Sequence, residues 1–275
     1  MLTSLSGLLA SLSYASSDLL SPRVTRETRP LTQMVWVLAT GVIIILPVAV
    51  LVDGLPGAGE WRGAGLAALA GALYFGALFC LLHGLQVGDL GLVSALTSLQ
   101  GAYVAVAVIV LGVPVTLPVA AALVLCVGGA VLTSFEGRAR STRGAPWALA
   151  AGVLFAGVML CYAYGDIGWL SQSAISRSVS LLITLPIALL TGGVAVPAAM
   201  RVRAVSAGLL ELSGVMLLTI AFALGPPTVA GVTTTQFGTF AVILGFVLLH
   251  ERPKPNQWVG IVCTIAGVTL LAAVV

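Results

Sequence analysis

Residues 225–275 read GPPTVAGVTTTQFGTFAVILGFVLLHERPKPNQWVGIVCTIAGVTLLAAVV. Two apolar runs flank a short charged turn, His250 to Gln257, and Leu244 to Leu249 is hydrophobic on every side. A helix that is apolar all round belongs either in a deep core or in a membrane. Pro253 and Pro255 in the turn prevent one helix from passing through it. Trp258 follows, where aromatic belts sit at a bilayer interface. The stretch reads as a transmembrane helical hairpin, and the rest of the chain resembles repetitions of it.

Composition agrees. Of 275 residues, 59% are hydrophobic and only 8% charged, whereas soluble domains carry about 25% charged residues. So few charges cannot cover a soluble surface of this size, so the chain reads as an all-α integral membrane protein. A span needs about 20 apolar residues, which gives room for roughly ten spans with their turns. The long uninterrupted apolar runs exclude the alternating pattern of a transmembrane β-barrel. The expected spans are 2–20, 31–52, 63–85, 90–111, 116–135, 145–165, 170–191, 204–224, 227–249 and 257–275. The first is read as a retained span, since no basic region precedes it. Cys80, Cys126, Cys161 and Cys263 all lie in apolar runs without metal or redox spacing, and serve as small packing residues.

Internal similarity points to a repeat. Ile45 to Leu51 resembles Thr184 to Leu190. Tyr14 and Asp18 near the end of the first span share their spacing with Tyr162 and Asp166 in the sixth. Ser94 and Thr97 parallel the cluster from Thr233 to Gln236. The expectation is two five-helix repeats, 1–137 and 138–275, the second inverted because each has an odd number of spans. Inverted repeats place a substrate site near the midplane and permit alternating access.

Basic residues concentrate on one side. The odd-numbered loops hold Arg23, Arg26, Arg29, Arg138, Arg140, Arg143, Arg201, Arg203, Arg252 and Lys254, and the even-numbered loops hold only Arg62. The positive-inside rule then puts the odd loops in the cytoplasm and both termini outside.

The ending Gly245 to Pro253, then Gln257-Trp258-Val259-Gly260, then Gly267-Val268, resembles the C-terminal end of an EamA domain. Such domains form the ten-helix members of the drug/metabolite transporter superfamily. The resemblance is strong over 225–271, fair over 84–132 and weak over the first helices of each repeat. His250 stands where a Gly is usual before Glu251, and the first copy has Val113-Pro114 in place of the Glu251-Arg252 pair. The resemblance implies a secondary transporter of small metabolites, often an exporter, in the plasma membrane. It implies a cavity lined chiefly by the first, third and fourth helices of each repeat. It also implies both termini in the cytoplasm, opposite to the charge count.

Among polar residues Glu211 is foremost. It lies deep in the eighth span between Leu210 and Leu212, where an ionisable group costs about 3 kcal/mol or more. It is a candidate to bind a cationic substrate group or to carry a coupling proton, the alternative being a structural hydrogen bond or a salt bridge to Arg177. Arg177, in the seventh span, can snorkel, meet an anionic substrate group or neutralise Glu211. Tyr14 and Tyr162 are candidate cavity contacts, with Asp18 and Asp166 one turn on at helix ends. Ser94 and Thr97, with Tyr103 beyond them, and Thr235, Gln236 and Thr239 in the ninth span complete the candidate substrate contacts. Such polar stripes also bond helices to one another in lipid. His83 ends the third span, where a lone His is commonly solvated.

No Walker A sequence is present for ATP to drive transport, and no acid, His or Cys cluster has metal spacing. No cofactor or nucleic-acid surface is indicated. The expected partners are the bilayer, a small solute and protons, and a chain holding both repeats has no need to dimerise. Two other classes stay open: a membrane enzyme acting on a lipid, with Glu211 or His83 as acid–base, and a non-transporting partner protein.

Overall fold

The computed structural model describes residues 2–54, 56–57, 59–88, 90–112, 115–134, 143–249 and 254–274, and within these every regular element is a helix. The helices are α1 (Leu2–Glu27), α2 (Pro30–Val52), α3 (Trp61–Val87), α4 (Leu90–Thr97), α5 (Gln100–Val110) and α6 (Leu117–Ser134). They continue as α7 (Ala145–Ala163), α8 (Trp169–Thr191), α9 (Ala198–Leu224), α10 (Pro227–Thr234), α11 (Phe237–Leu249) and α12 (Pro255–Val274). The charged turn from His250 to Pro253 and the polar stretch 135–142 lie outside the described residues.

The distribution of side chains is the reverse of a soluble protein's. Leu190 is 87% exposed and Leu51 and Leu117 are each 84% exposed, while Arg177 is 2% and Glu211 7% exposed. Large apolar groups face outward and charges face inward, the arrangement lipid selects. Six candidate spans are long and apolar enough to cross a membrane: α2, the Trp61–Gly84 part of α3, α7, α8, α9 and the Pro227–Leu248 stretch. The chain is a multi-pass membrane protein.

Two expected spans are interrupted. The fourth breaks at Ser98-Leu99 into α4 and α5, and the ninth at Thr235-Gln236 into α10 and α11. Both breaks fall in polar clusters, at Thr97-Ser98 and Thr233 to Gln236, with no proline or glycine at either to mark them. At the second break the backbone tightens, with Thr235 N donating to Val232 O at 3.3 Å. Threonine hydroxyls compete for the carbonyls there: Thr233 Oγ1 bonds Val229 O, Thr234 Oγ1 bonds Ala230 O and Thr235 Oγ1 bonds Val232 O. Ser11 Oγ of α1 then lies 2.8 Å from Thr233 O and 2.6 Å from Thr234 O, its one hydroxyl hydrogen shared between carbonyls freed by the break. Other limits differ at helix ends. α1 runs to Glu27 rather than 20, and α9 begins at Ala198 rather than 204. Charged residues such as Arg201 and Arg203 end the apolar run but not the helix.

Small residues set the packing. Helices α6 and α12 are antiparallel and nearly touch at backbone level: a Cβ on Gly260 would lie 2.6 Å from Thr133 N, and one on Gly267 would lie 2.8 Å from Cys126 N. Lipid supplies no hydrophobic drive between helices, so close approach through glycine replaces it. Helices α2 and α8 are also antiparallel and are fastened at both ends. Asp53 Oδ2 accepts from Ser171 N and Ser171 Oγ, both at 3.0 Å, placing an anion at the N-terminus of α8. At the other end Thr32 Oγ1 donates to Gly193 O at 3.0 Å and Trp36 Nε1 to Val194 O at 2.8 Å. Gly193 has φ +82°, and its N–H closes α8 by donating to Ala188 O at 2.7 Å.

Contacts between the halves recur in pairs. Helix α1 packs on α9, α10 and α11, and α7 packs on α3, α4 and α5; α2 packs on α8 and α9, and α8 on α2 and α3.

Candidate functional site

Helix α8 carries a buried polar lane. Ser173, Ser176, Arg177, Ser180 and Thr184 recur at helical spacing and all face inward. On α9 the inward lane consists of small residues, Ala204, Ala207, Gly208 and Gly214, with Glu211 in its middle. Helix α3 joins them closely, because a Cβ on Gly71 would lie 2.3 Å from Ser176 O, and Ser180 Oγ donates to Gly71 O at 2.6 Å. The small residues bring three helices near enough for one side chain from each to meet.

Those side chains are Tyr74 of α3, Arg177 of α8 and Glu211 of α9. Arg177 Nη2 donates to Glu211 Oε2, and the Tyr74 hydroxyl donates to Glu211 Oε1. Glu211 thus gives one oxygen to each partner. The pair brings one positive and one negative charge together in a region of low dielectric, where either alone would be costly. Arg177 is only partly used: its Nε and Nη1 are buried with no hydrogen-bond partner among the described residues. Its guanidinium lies across Gly41 of α2, where a Cβ would come within 2.5 Å of Nη1. The Tyr74 ring is fixed edge-on to Phe155 of α7, with centroids 5.8 Å apart.

Two further predicted residues adjoin this centre. Tyr162 donates to Ser176 Oγ at 2.7 Å, beside Arg177 in the chain. Tyr14 lies against Gly214, three residues beyond Glu211, where a Cβ would come 2.6 Å from its ring. Both belong with Tyr74 and Tyr103 to the largest apolar cluster, which includes Val158, Leu218 and Phe222. Tyr103 also packs on Gly152 of α7.

The ninth-span residues turn elsewhere. Gln236 Nε2 donates to Val232 O at 3.0 Å and Cys126 O at 3.3 Å, and its Oε1 accepts from Thr264 Oγ1 at 3.3 Å. Thr239 shares hydroxyl contacts with Thr133 at 3.3 Å and Thr264 at 3.2 Å. Thr235 sits against Gly101 of α5. These bonds join α6, α10, α11 and α12 and do not reach the charged centre. Thr97 Oγ1 bonds Val93 O at 2.8 Å within its own helix. The side chains of Ser94 and Asp18 lie outside the described residues. Asp166 is at the surface, 4.0 Å from Arg62. His83 lies between Phe79 and Trp147, with ring centroids 6.1 and 4.4 Å away.

Two residues escaped the sequence reading. Tyr74 is a tyrosine in a largely apolar third span, and its hydroxyl, flanked by Gly71 and Gly76, is the available signal. Gln100, which lies off the helix face that Ser94 and Thr97 share, is buried at the first interruption with Oε1 unpartnered among the described residues.

A model of the EamA-like transporter family matches residues 1–135 and 142–273. A solved structure described as "Crystal structure of protein" superposes with a TM-score of 0.80 at 14% identity, covering 98% of this chain and 96% of its own. At that identity the likeness shows the fold alone. Comparison with curated proteins returned no match.

Proposed function

The chain belongs to the EamA-like transporter family, and on that premise we propose that it is a secondary transporter of a small metabolite, amino acid or drug-like molecule. It works as a monomeric exporter in the plasma membrane, not as an enzyme, and it uses no cofactor. Its working units are two inverted five-helix repeats, 1–137 and 138–275, which rock about a central site. Two kinds of contact support the repeat. The packing of α1 on α9, α10 and α11 is matched by that of α7 on α3, α4 and α5. The corresponding helices α2 and α8 run antiparallel, as inversion requires.

The observation that carries the proposal is the Tyr74–Glu211–Arg177 centre. It joins α3 of the first half to α8 and α9 of the second, and it is buried in a chain with 8% charged residues. Intramembrane charges at a junction of moving units mark a substrate or ion path. Cargo binding there competes with the bonds that hold the halves, so occupancy and rocking are coupled. Glu211 is the group that takes up or releases a coupling proton.

The test is a panel of small solutes against the purified full chain in detergent. A ligand of the folded state raises apparent thermal stability by mass action. At least one solute raises it in the wild type and none does in Glu211→Gln. Stabilisation that is undiminished in Glu211→Gln places the site elsewhere, and a purified protein that turns over a lipid contradicts the transporter assignment.

A further inference from the structure

We propose that Arg201 and Arg203, at the start of α9, seat the phosphate of an anionic phospholipid whose acyl chains lie along the outer face of that helix. The inference rests on the membrane placement of the chain and is independent of the transporter reading.

The described charges are sorted by membrane face. Asp53 and Glu60 lie between α2 and α3, and Asp166 is beside Arg62 at the start of α3. Arg29 is at the opposite end of α2. There Thr32 and Trp36 reach the carbonyls of Gly193 and Val194, which brings the segment joining α8 to α9, and with it Arg201 and Arg203, to the same face as Arg29. None of these three arginines forms an ion pair among the described residues. Glu211, further along α9, is committed to Arg177 and Tyr74.

Each arginine spends one donor. Arg29 Nη1 donates to Thr191 O, Arg201 Nε to Val196 O at 3.2 Å, and Arg203 Nη1 to Met200 Sδ at 3.4 Å. A guanidinium has five N–H donors and a thioether is a weak acceptor, so most of both forks on α9 is uncommitted. The same bonds prepare the ground for an anion. Carbonyls of Thr191, Gly193, Val194 and Val196 are all engaged by side chains, so oxygens that would repel a phosphate are already occupied.

The surface beside the two arginines is apolar. Val202, between them in the chain, is 75% exposed, and Val205 and Leu209 follow at helical spacing as an exposed lane toward the bilayer centre. Leu189 and Leu190, in the last turn of α8, are exposed at the same level. Long arginine side chains on either side of a lipid-facing residue lift their charges to the headgroups. Cations above an apolar lane fit an amphiphile with an anionic head, and a soluble anion gains nothing from the lane. A zwitterionic headgroup fits poorly, because its own cation meets two arginines and no described carboxylate.

The experiment adds phosphatidylglycerol or phosphatidylcholine with the same acyl chains to the purified full chain in a nonionic detergent and reads the thermal shift. Phosphatidylglycerol should raise the melting temperature more than phosphatidylcholine, and added salt should shrink the difference. Arg201→Gln and Arg203→Gln each weaken the apparent affinity for phosphatidylglycerol roughly fivefold, and the double variant roughly 25-fold, as expected for one cation each at a membrane surface. Arg201→Lys keeps the charge without the Val196 bond and retains most of the binding, which separates charge from structure if Arg201→Gln does not fold. Arg62→Gln, on the opposite face, leaves the shift unchanged. The proposal is overturned if the two lipids stabilise equally, if the double variant keeps the full shift, if Arg62→Gln weakens it as much, or if inorganic phosphate alone reproduces it.

Discussion

Glu211 and Arg177 meet inside the membrane through a single bond, Nη2 to Oε2, and the second oxygen of Glu211 belongs to Tyr74. The ion pair is therefore stretched across three helices rather than closed on itself. It neutralises both charges, yet it leaves buried donors open on Arg177. A contact of this kind stabilises the assembled bundle and can still be exchanged for a ligand.

Breaking the pair from either side strands a buried charge. Glu211→Gln and Arg177→Met each lower stability by about 3–5 kcal/mol, and the double variant loses much less than the sum. Thermal unfolding of the four proteins in detergent measures the cycle. Additive losses would mean that the two residues do not share their main interaction.

Tyr74→Phe keeps the ring against Phe155 and removes only the bond to the carboxylate. A hydrogen bond to a charged group contributes about 1.5–3 kcal/mol, against about 1 kcal/mol for a neutral one. Tyr74→Phe is accordingly more destabilising than Tyr162→Phe, which loses a bond to the Ser176 hydroxyl. Melting temperatures of the two variants decide it, and the reverse order contradicts the arrangement.

Glycines of the α6–α12 seam separate cleanly by position. A Cβ on Gly260 meets the backbone, 2.6 Å from Thr133 N and 2.7 Å from Gly129 O, so Gly260→Ala forces the helices apart. Gly128 has nothing within 4 Å, and Gly128→Ala gains about 0.5–1 kcal/mol from lower unfolded-chain entropy and better helix propensity. Size-exclusion profiles and melting curves should show Gly260→Ala impaired and Gly128→Ala intact or improved.

Much of the architecture is legible in the chain. Low charge and long apolar runs require membrane helices, and the pairing of Glu211 with Arg177 stands among the alternatives that burial physics leaves. The helix interruptions are not legible, because no proline or glycine falls at Ser98-Leu99 or Thr235-Gln236, and the polar clusters there read equally well as interhelical contacts of an unbroken span. Nor is the direction in which Gln236 faces. One amide on a polar stripe can meet cargo or a neighbouring backbone, and only the placement of Cys126 and Thr264 shows that it bonds α6 and α12. Tyr74 has the same difficulty, since a lone tyrosine in an apolar span reads alike whether it packs, faces lipid or binds a carboxylate.

The basic loops and the family resemblance point to opposite orientations, and a direct check separates them. In a cysteine-free background, Gly59→Cys lies on the side of Arg62 and Ala195→Cys on the side of Arg29, Arg201 and Arg203. The positive-inside rule predicts that a membrane-impermeant maleimide labels Gly59→Cys on intact cells and Ala195→Cys only after permeabilisation. The opposite pattern would put both termini in the cytoplasm.

The account turns on solute flux through the Tyr74–Glu211–Arg177 centre. Proteoliposomes loaded with a defined mixture of small metabolites, including amino acids and nucleobases, allow efflux to be followed by mass spectrometry. Vesicles with the wild-type chain should lose at least one solute faster than protein-free vesicles, and vesicles with folded Glu211→Gln should not. Equal loss from wild-type and protein-free vesicles, or undiminished efflux through Glu211→Gln, would contradict it.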